Sequence, residues 1–350
     1  MSDPLPEILA AEMDLPCGDV QETAGFFTEQ LGFLLHTIYP ADDPAVAVIS
    51  GYGVRLRLVR GLQADPGTLR LLGPADRAPL TAPNGTQVQF GPADPWPDIP
   101  DGRQSFCYMP PPGQDGWGQG RAGMQYRDLI PDRWGGRFIA SHIRIPTGGP
   151  VPDYVHFHKV RFQMIFCYKG WVRLVYEDQG EPFVMKAGDC VLQPPEIRHR
   201  VLEASDGLEV VEIGCPADHP THVDHILPLP TDYLRPERDF NGQAFVFHQA
   251  AKADWVPWTA PGFEARDLGI AAATDGLATV RVVRRAAGEP GRIESAPEFH
   301  FLFGLRGTGR LMVEGQDPVT LNEGASVAIP GELAVDFDSA APFEFLEVLL

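Results

Sequence analysis

The chain is poor in several features that would assign it to a large class. It has only five cysteines in 350 residues (Cys17, Cys107, Cys167, Cys190 and Cys215), with no Cys-x-x-Cys pair. An odd, scattered set builds no disulfide framework and fits a reducing compartment. No apolar run reaches the eighteen or so residues that a membrane-spanning helix needs, so none is expected. The opening Met1-Ser2-Asp3-Pro4 has no basic stretch leading into an apolar one. No signal peptide is therefore expected, and the expected location is cytoplasmic. Basic residues are also few: 28 Lys and Arg stand against 47 Asp and Glu, for a net charge of −19. That balance argues against nucleic acid or an anionic membrane as a partner and leaves a small molecule.

Proline and glycine are plentiful, at 35 and 37 residues, and short strand-like runs are frequent. The combination predicts a mainly β chain with tight turns, and the length suits two or three domains. Residues 8–60 read as a strand, a helix over Val20–Leu31 opened by Gly18-Asp19, and three further strands. The phrases Phe26-Phe27-Thr28-Glu29-Gln30-Leu31-Gly32-Phe33 and Thr81-Ala82-Pro83-Asn84-Gly85-Thr86 resemble the first module of the glyoxalase/bleomycin-resistance superfamily. The resemblance implies an α+β module of βαβββ order over residues 1–92. Members usually build a metal site from two such modules. Only one is present here, with Glu12 near a position where many members carry histidine, so a structural or pairing role is expected. Residues 93–136 are dense in proline and glycine and read as an ordered connector, since six aromatics (Trp96, Phe106, Tyr108, Trp117, Tyr126 and Trp134) are unlike a solvated linker.

From Arg137 onward short strands follow one another in two similar sets. Met164–Gly170 and Trp171–Tyr176 match Phe301–Gly307 and Thr308–Val313, while Gly188–Pro194 matches Gly324–Pro330. Self-similarity of this kind points to two tandem domains of one fold, assigned here to residues 137–235 and 236–350.

The first copy holds the most informative constellation, His156-Phe157-His158, Gln163 and His199. Two histidines one residue apart share a face of a strand, and a third can close a site from a neighbouring strand. Neutral imidazoles suit divalent transition metals, here Fe, Ni, Zn or Mn. The runs Gly149…His156-Phe157-His158…Gln163…Gly170 and Gly188…Pro194-Pro195-Glu196…His199 resemble the two motifs of the cupin superfamily. The resemblance implies two small jelly-roll barrels, with one metal in the first held by His156, His158, His199 and, more weakly, Gln163. The family usually has glutamate where Gln163 stands. In the second copy the equivalent positions are Ile293, Ser295, His300 and Val335. That barrel is expected to bind no metal and to act as a scaffold or an interface in a homo-oligomer.

Three readings of the site stay open. A neutral donor set leaves the ion its full charge, which suits Lewis-acid chemistry on a small enol, keto or carboxylate substrate, and the cupin resemblance implies a lyase, isomerase or cyclase type. The second, also implied by the cupin resemblance, is a three-histidine Fe(II) dioxygenase of two-barrel type, and the third is a non-catalytic small-ligand sensor. Tyr154, Arg161, Tyr176, Glu196 and Arg198 flank the motif as candidate acid/base or clamp residues. His142 and Arg144 share one face of the first strand and are candidates for substrate binding. Cys167 shares the parity of Gln163 and reads as inert packing. The stretch Asp218-His219…His222…Asp224-His225 reads as a polar loop able to cover a barrel mouth.

Overall fold

The computed structural model describes residues 8–73, 77–113, 116–286, 291–294, 296–338 and 342–350, in two compact units, 1–95 and 96–350. Ser295, one of the positions matched between the repeats, lies outside the described residues. Among the described residues no helix is long and apolar enough to cross a membrane.

In the first unit the strand Met13–Cys17 leads into a helix over Val20–Gly25 that continues as a π turn over Phe26–Gln30. Asp19 caps the helix by accepting the Glu22 amide at 2.9 Å. Gly32, at φ +74°, lets the chain turn out of the helical segment. The strands Leu34–Tyr39, Val46–Gly51 and Val54–Arg60 then form a meander, and Met13–Cys17 pairs in parallel with the last of them. Val20, Ala24, Phe27 and Leu31 recur at helical spacing and pack on Leu15, Ala47, Ile49, Leu56 and Leu58 from alternate positions of the sheet. On the sheet, Arg55 pairs with Glu12 at 2.6 Å and Arg57 with Asp14 at 3.2 Å. A second small sheet joins Thr68–Leu72, Gln87–Gly91 and Leu80–Thr81.

The second unit contains two barrels. The first sets a seven-stranded sheet, with Phe162–Lys169, Leu208–Cys215 and Ile139–Ile145 at its centre, against a sheet containing Trp171–Tyr176, His199–Ala204 and His156–His158. The second repeats the plan with Thr279–Arg285, Phe343–Leu349 and the long strand His300–Val313, a single strand where two were expected. Alternation sorts the side chains. Phe162, Met164 and Phe166 point out of the first barrel and meet Phe299, Phe301 and Phe303 of the second in one shared core. Phe138 and Phe299 stack across that layer at 4.4 Å. Inside the second barrel Trp258, Phe263, Phe337, Phe343 and Phe345 form a continuous apolar filling.

The connector is more structured than its composition suggests. Gly118–Gln119 and Gln125–Asp128 extend the larger sheet of the first barrel, whereas Cys107–Met109 pairs with Ser326–Ile329 of the second. In return Val246–His248, from the segment leading into the second barrel, pairs with Cys190–Leu192 of the first. Each barrel is thus extended by a strand that precedes the other in sequence. Pairing covers what would otherwise be an open sheet edge.

Candidate metal centre

His156 and His158 lie on one short strand, and Phe157 between them points the other way, stacked on His222 at 5.0 Å and under the Arg198 guanidinium at 4.0 Å. The Pro194-Pro195-Glu196 turn, with Glu196 at φ +62°, delivers His199 to the start of the neighbouring strand, directly opposite His156. All three rings are buried. Each Nδ1 faces a backbone carbonyl: Tyr154 at 2.8 Å from His156, Pro220 at 3.2 Å from His158 and Ile197 at 3.0 Å from His199. A carbonyl only accepts, so each Nδ1 carries the proton and each Nε2 keeps its lone pair. The ligand atoms of the three residues lie within 4.8 Å of one another. Burial pushes the His158 imidazolium down to about 3, helped by the charges of His219 and His156. Burial likewise holds His199 well below the ordinary histidine range and lowers His156, the latter also through the Arg121 cation. Three neutral imidazoles, fixed through their second nitrogens, fit a first-row divalent ion.

Gln163 is also buried, on the adjacent sheet. Its amide nitrogen donates to Glu212 Oε1 at 2.6 Å, and its Oε1 accepts from Gln193 Nε2 at 3.3 Å. The same Gln193 nitrogen lies 3.2 Å from His199 Nε2, and Gln193 Oε1 accepts from the Tyr176 hydroxyl at 2.7 Å. Glu212 reaches Gln163 because its strand runs antiparallel beside Phe162–Lys169, with Ile165 opposite Glu212 and Gln163 opposite Gly214. The site therefore does have a carboxylate, on the neighbouring strand and not at the motif position.

The histidines form one end of a cavity of about 80 Å³ inside the first barrel. Arg121, Gln193 and Glu212 join them through hydrogen bonds, Tyr126 also lines the cavity, and Ile143, Ile165, Leu174, Met185, Val201 and Val210 are among its apolar residues. Burial and then the Glu212 charge push the Tyr126 phenol up to about 12. Arg121 comes from the connector. Its Nη1 pairs with the buried carboxylate of Asp153, and its Nη2 lies 2.7 Å from His156 Nε2. Asp153 is held in turn by the Val201 amide at 3.0 Å.

The other sequence candidates scatter. Tyr176 is buried behind His199, stacked at 5.4 Å, and its hydroxyl donates to Gln193. Tyr154 lends its carbonyl to His156 while its ring is partly exposed. Arg161 pairs with Glu298 of the second barrel at 3.0 Å. Glu196 meets Asn241 at 3.4 Å and Arg198 meets Asp224 at 3.3 Å, and neither residue lines the cavity. His142 and Arg144 share a strand face as expected, but it is the face turned away from Ile143 and Ile145, which join the barrel interior. His142 bonds Glu209 at 2.7 Å and packs on Phe303 of the second barrel at 5.4 Å. Arg144 borders the cavity, yet its guanidinium lies over Trp117 at 4.1 Å and its Nε bonds Gln125 at 2.7 Å. Cys167 is buried inside the barrel with its thiol pushed up to about 12 by burial. The polar stretch after Pro216 forms a strand, Thr221–Val223, beside His156–His158, and the His219 ring sits 5.2 Å from that of His158. In the second barrel the pair facing each other where His156 and His199 do is Ile293 and Val335. His300 is buried beside Glu347.

Arg121, Gln193 and Glu212 were not singled out by sequence reasoning. Glu212 left a faint signal, as one charged residue inside the apolar run Val210-Val211-Glu212-Ile213. Arg121 left none, because the connector has no period from which to read a direction.

Residues 141–213 match the Cupin domain family. No curated protein matches the chain. Among solved structures it is similar to the oxalate decarboxylase of Lactobacillus farciminis in complex with formate, at 15% identity and a TM-score of 0.51, covering 71% of this chain and 87% of that one. A Bacillus subtilis oxalate decarboxylase variant gives 13% identity and a TM-score of 0.51, covering 72% and 79%. A second structure of that enzyme, studied for its Mn(II) centres, gives 13%, a TM-score of 0.50 and the same coverage. Identities this low speak for the fold. The match over residues 141–213 and the likeness to the oxalate decarboxylase structures agree on a mainly β, cupin-like fold.

Proposed function

We propose that the first barrel is a metal-dependent active site for a small oxygenated substrate, with His156, His158 and His199 holding one divalent ion and Glu212 handling the proton. The observation that carries this reading is the convergence of three buried Nε2 lone pairs at the end of a largely apolar cavity that also presents a carboxylate. Bound there, a divalent ion supplies Lewis acidity toward a substrate oxygen. The three imidazoles bring no charge to it, which favours an enolate or carboxylate oxygen. Glu212 faces the same cavity, and the 2.6 Å bond from Gln163 fixes one of its oxygens, leaving the other to take or return a proton on carbon. The aliphatic wall accepts the apolar part of the substrate. A cavity of about 80 Å³ suits a small substrate. Of the four candidate ions, Fe, Ni, Zn and Mn, the last is the one named for the B. subtilis enzyme.

The test is metal-stripped protein reloaded with each ion and offered small enols and 2-oxo acids with and without oxygen. Turnover that needs metal but no oxygen is expected. Oxygen uptake matched to product would replace this reading with the dioxygenase one, and tight binding without turnover would make the barrel a sensor.

The βαβββ strand order of the first unit supports its likeness to a glyoxalase-type module. Glu12 is engaged by Arg55, which favours a structural or pairing role for that module.

A further inference from the structure

His156 has one lone pair free for a metal, because its Nδ1 is committed to the Tyr154 carbonyl. That lone pair already meets a donor, Arg121 Nη2 at 2.7 Å. A guanidinium has five N–H donors and no acceptor, so Arg121 and a metal ion compete for the same nitrogen. Arg121 cannot simply leave. Its Nη1 is tied to Asp153, which is buried and pinned by the Val201 amide. A shift that frees His156 Nε2 therefore keeps the guanidinium at the rim of the same cavity, beside a dication. Asp153 offsets one of these charges and Glu212 is already bonded to Gln163. Arg144 adds a further cation at the border, Tyr126 and Gln193 are neutral, and the rest of the wall is isoleucine, leucine, valine and methionine, so no other anion among the described residues lines the cavity.

We propose that Arg121 makes this a joint site for a divalent metal and a small aliphatic monocarboxylate, each of which strengthens binding of the other. The inference rests on the metal reading above. A carboxylate has two oxygens and can satisfy both cations at once, while the apolar cavity takes its short alkyl tail. Without the anion, Arg121 acts as a competitor that weakens metal binding. With it, the displaced guanidinium gains a partner. Reciprocity then requires that metal raise affinity for the carboxylate by the same factor that carboxylate raises affinity for the metal.

The experiment titrates the full-length, metal-stripped protein with Mn2+, counting the free aquo ion by electron paramagnetic resonance, with and without propionate. In wild type, saturating propionate is expected to tighten Mn2+ about tenfold, within the usual span of such couplings. Arg121→Gln should bind Mn2+ several-fold more tightly than wild type without propionate, and respond to propionate by less than about twofold. Because Arg121→Gln strands the buried Asp153, Arg121→Gln/Asp153→Asn is measured beside it and should behave alike. A wild-type Mn2+ affinity indifferent to propionate, or variants that bind Mn2+ more weakly and still respond to it, would overturn this inference and leave the metal reading standing. Failure of wild type and both variants to bind Mn2+ or Zn2+ under any condition would overturn both.

Discussion

Taking the metal-free protein from about pH 7.5 to about pH 5.5 should destabilise its first barrel, and His158 accounts for a calculable part of the loss. Burial holds its folded-state pKa at about 3, against about 6.5 in an unfolded chain. The folded state thus refuses a proton that the unfolded state takes up, and stability present above the unfolded pKa is lost as pH falls through it. At pH 5.5 the unfolded imidazole is about ten-elevenths protonated, which corresponds to about 1.4 kcal/mol from this residue alone. His156 and His199 are shifted in the same direction and add to the loss. The chain holds two compact units, so a single unfolding midpoint mixes them. Hydrogen exchange at the slowest amides of Phe162–Lys169 and Leu208–Cys215 reports on the barrel itself. With a chelator present, the opening free energy of His158→Asn should fall by about 1.4 kcal/mol less than wild type over this interval. Parallel declines in the two proteins would refute the argument, by showing that the ring takes up its proton in the folded state.

Other outcomes follow from the site and from its twin. His156→Ala/His158→Ala should remove metal from the purified protein, and undiminished content by elemental analysis would sink the three-histidine centre. Glu212→Gln should keep metal stoichiometry while metal-dependent turnover drops about 10²- to 10⁴-fold; loss of metal instead would make Glu212 a ligand. Phe345→Ala, in the filled interior of the second barrel, should cost about 3–5 kcal/mol by chemical denaturation with metal content unchanged. A loss below about 1 kcal/mol would contradict close packing there.

Much of the fold was open to a reader of the sequence because alternation and repetition are local. His156 and His158 share a face through period two, and Phe301 and Phe303 share another. The two copies align well enough that Ile293 and Val335 could be named before their pairing was seen. What escaped depends on register and long-range pairing. Glu212 joins the site because its strand lies beside that of Gln163 in one register, and a shift of one residue would turn it outward. Cys107–Met109 and Val246–His248 are three-residue strands, too short to show a period, and each pairs with a barrel its position in the chain does not suggest. His142 and Arg144 were correctly placed on one face, but only the packing of Ile143 and Ile145 decides which face points inward.

The twin barrels also show what the site costs. One fold encloses Trp258, Phe263, Phe337 and Phe345 in the second barrel and a cavity of about 80 Å³ with three imidazoles in the first. At about 24 cal/mol per Å³, an empty cavity of that size would forgo about 2 kcal/mol of packing. The polar groups of the lining give water partners there, so this is an upper bound. The architecture does not require the loss, since its other copy avoids it. Filling the cavity away from the metal ligands should therefore recover part of that energy at the expense of ligand binding. Val210→Leu adds one carbon to the wall on the strand that carries Glu212. It is expected to raise the melting temperature by a degree or two, retain metal, and weaken propionate in the Mn2+ titration at least several-fold. A variant that melts lower yet binds propionate normally would mean that the cavity closes by relaxation, and that the first barrel gives up no packing for its site.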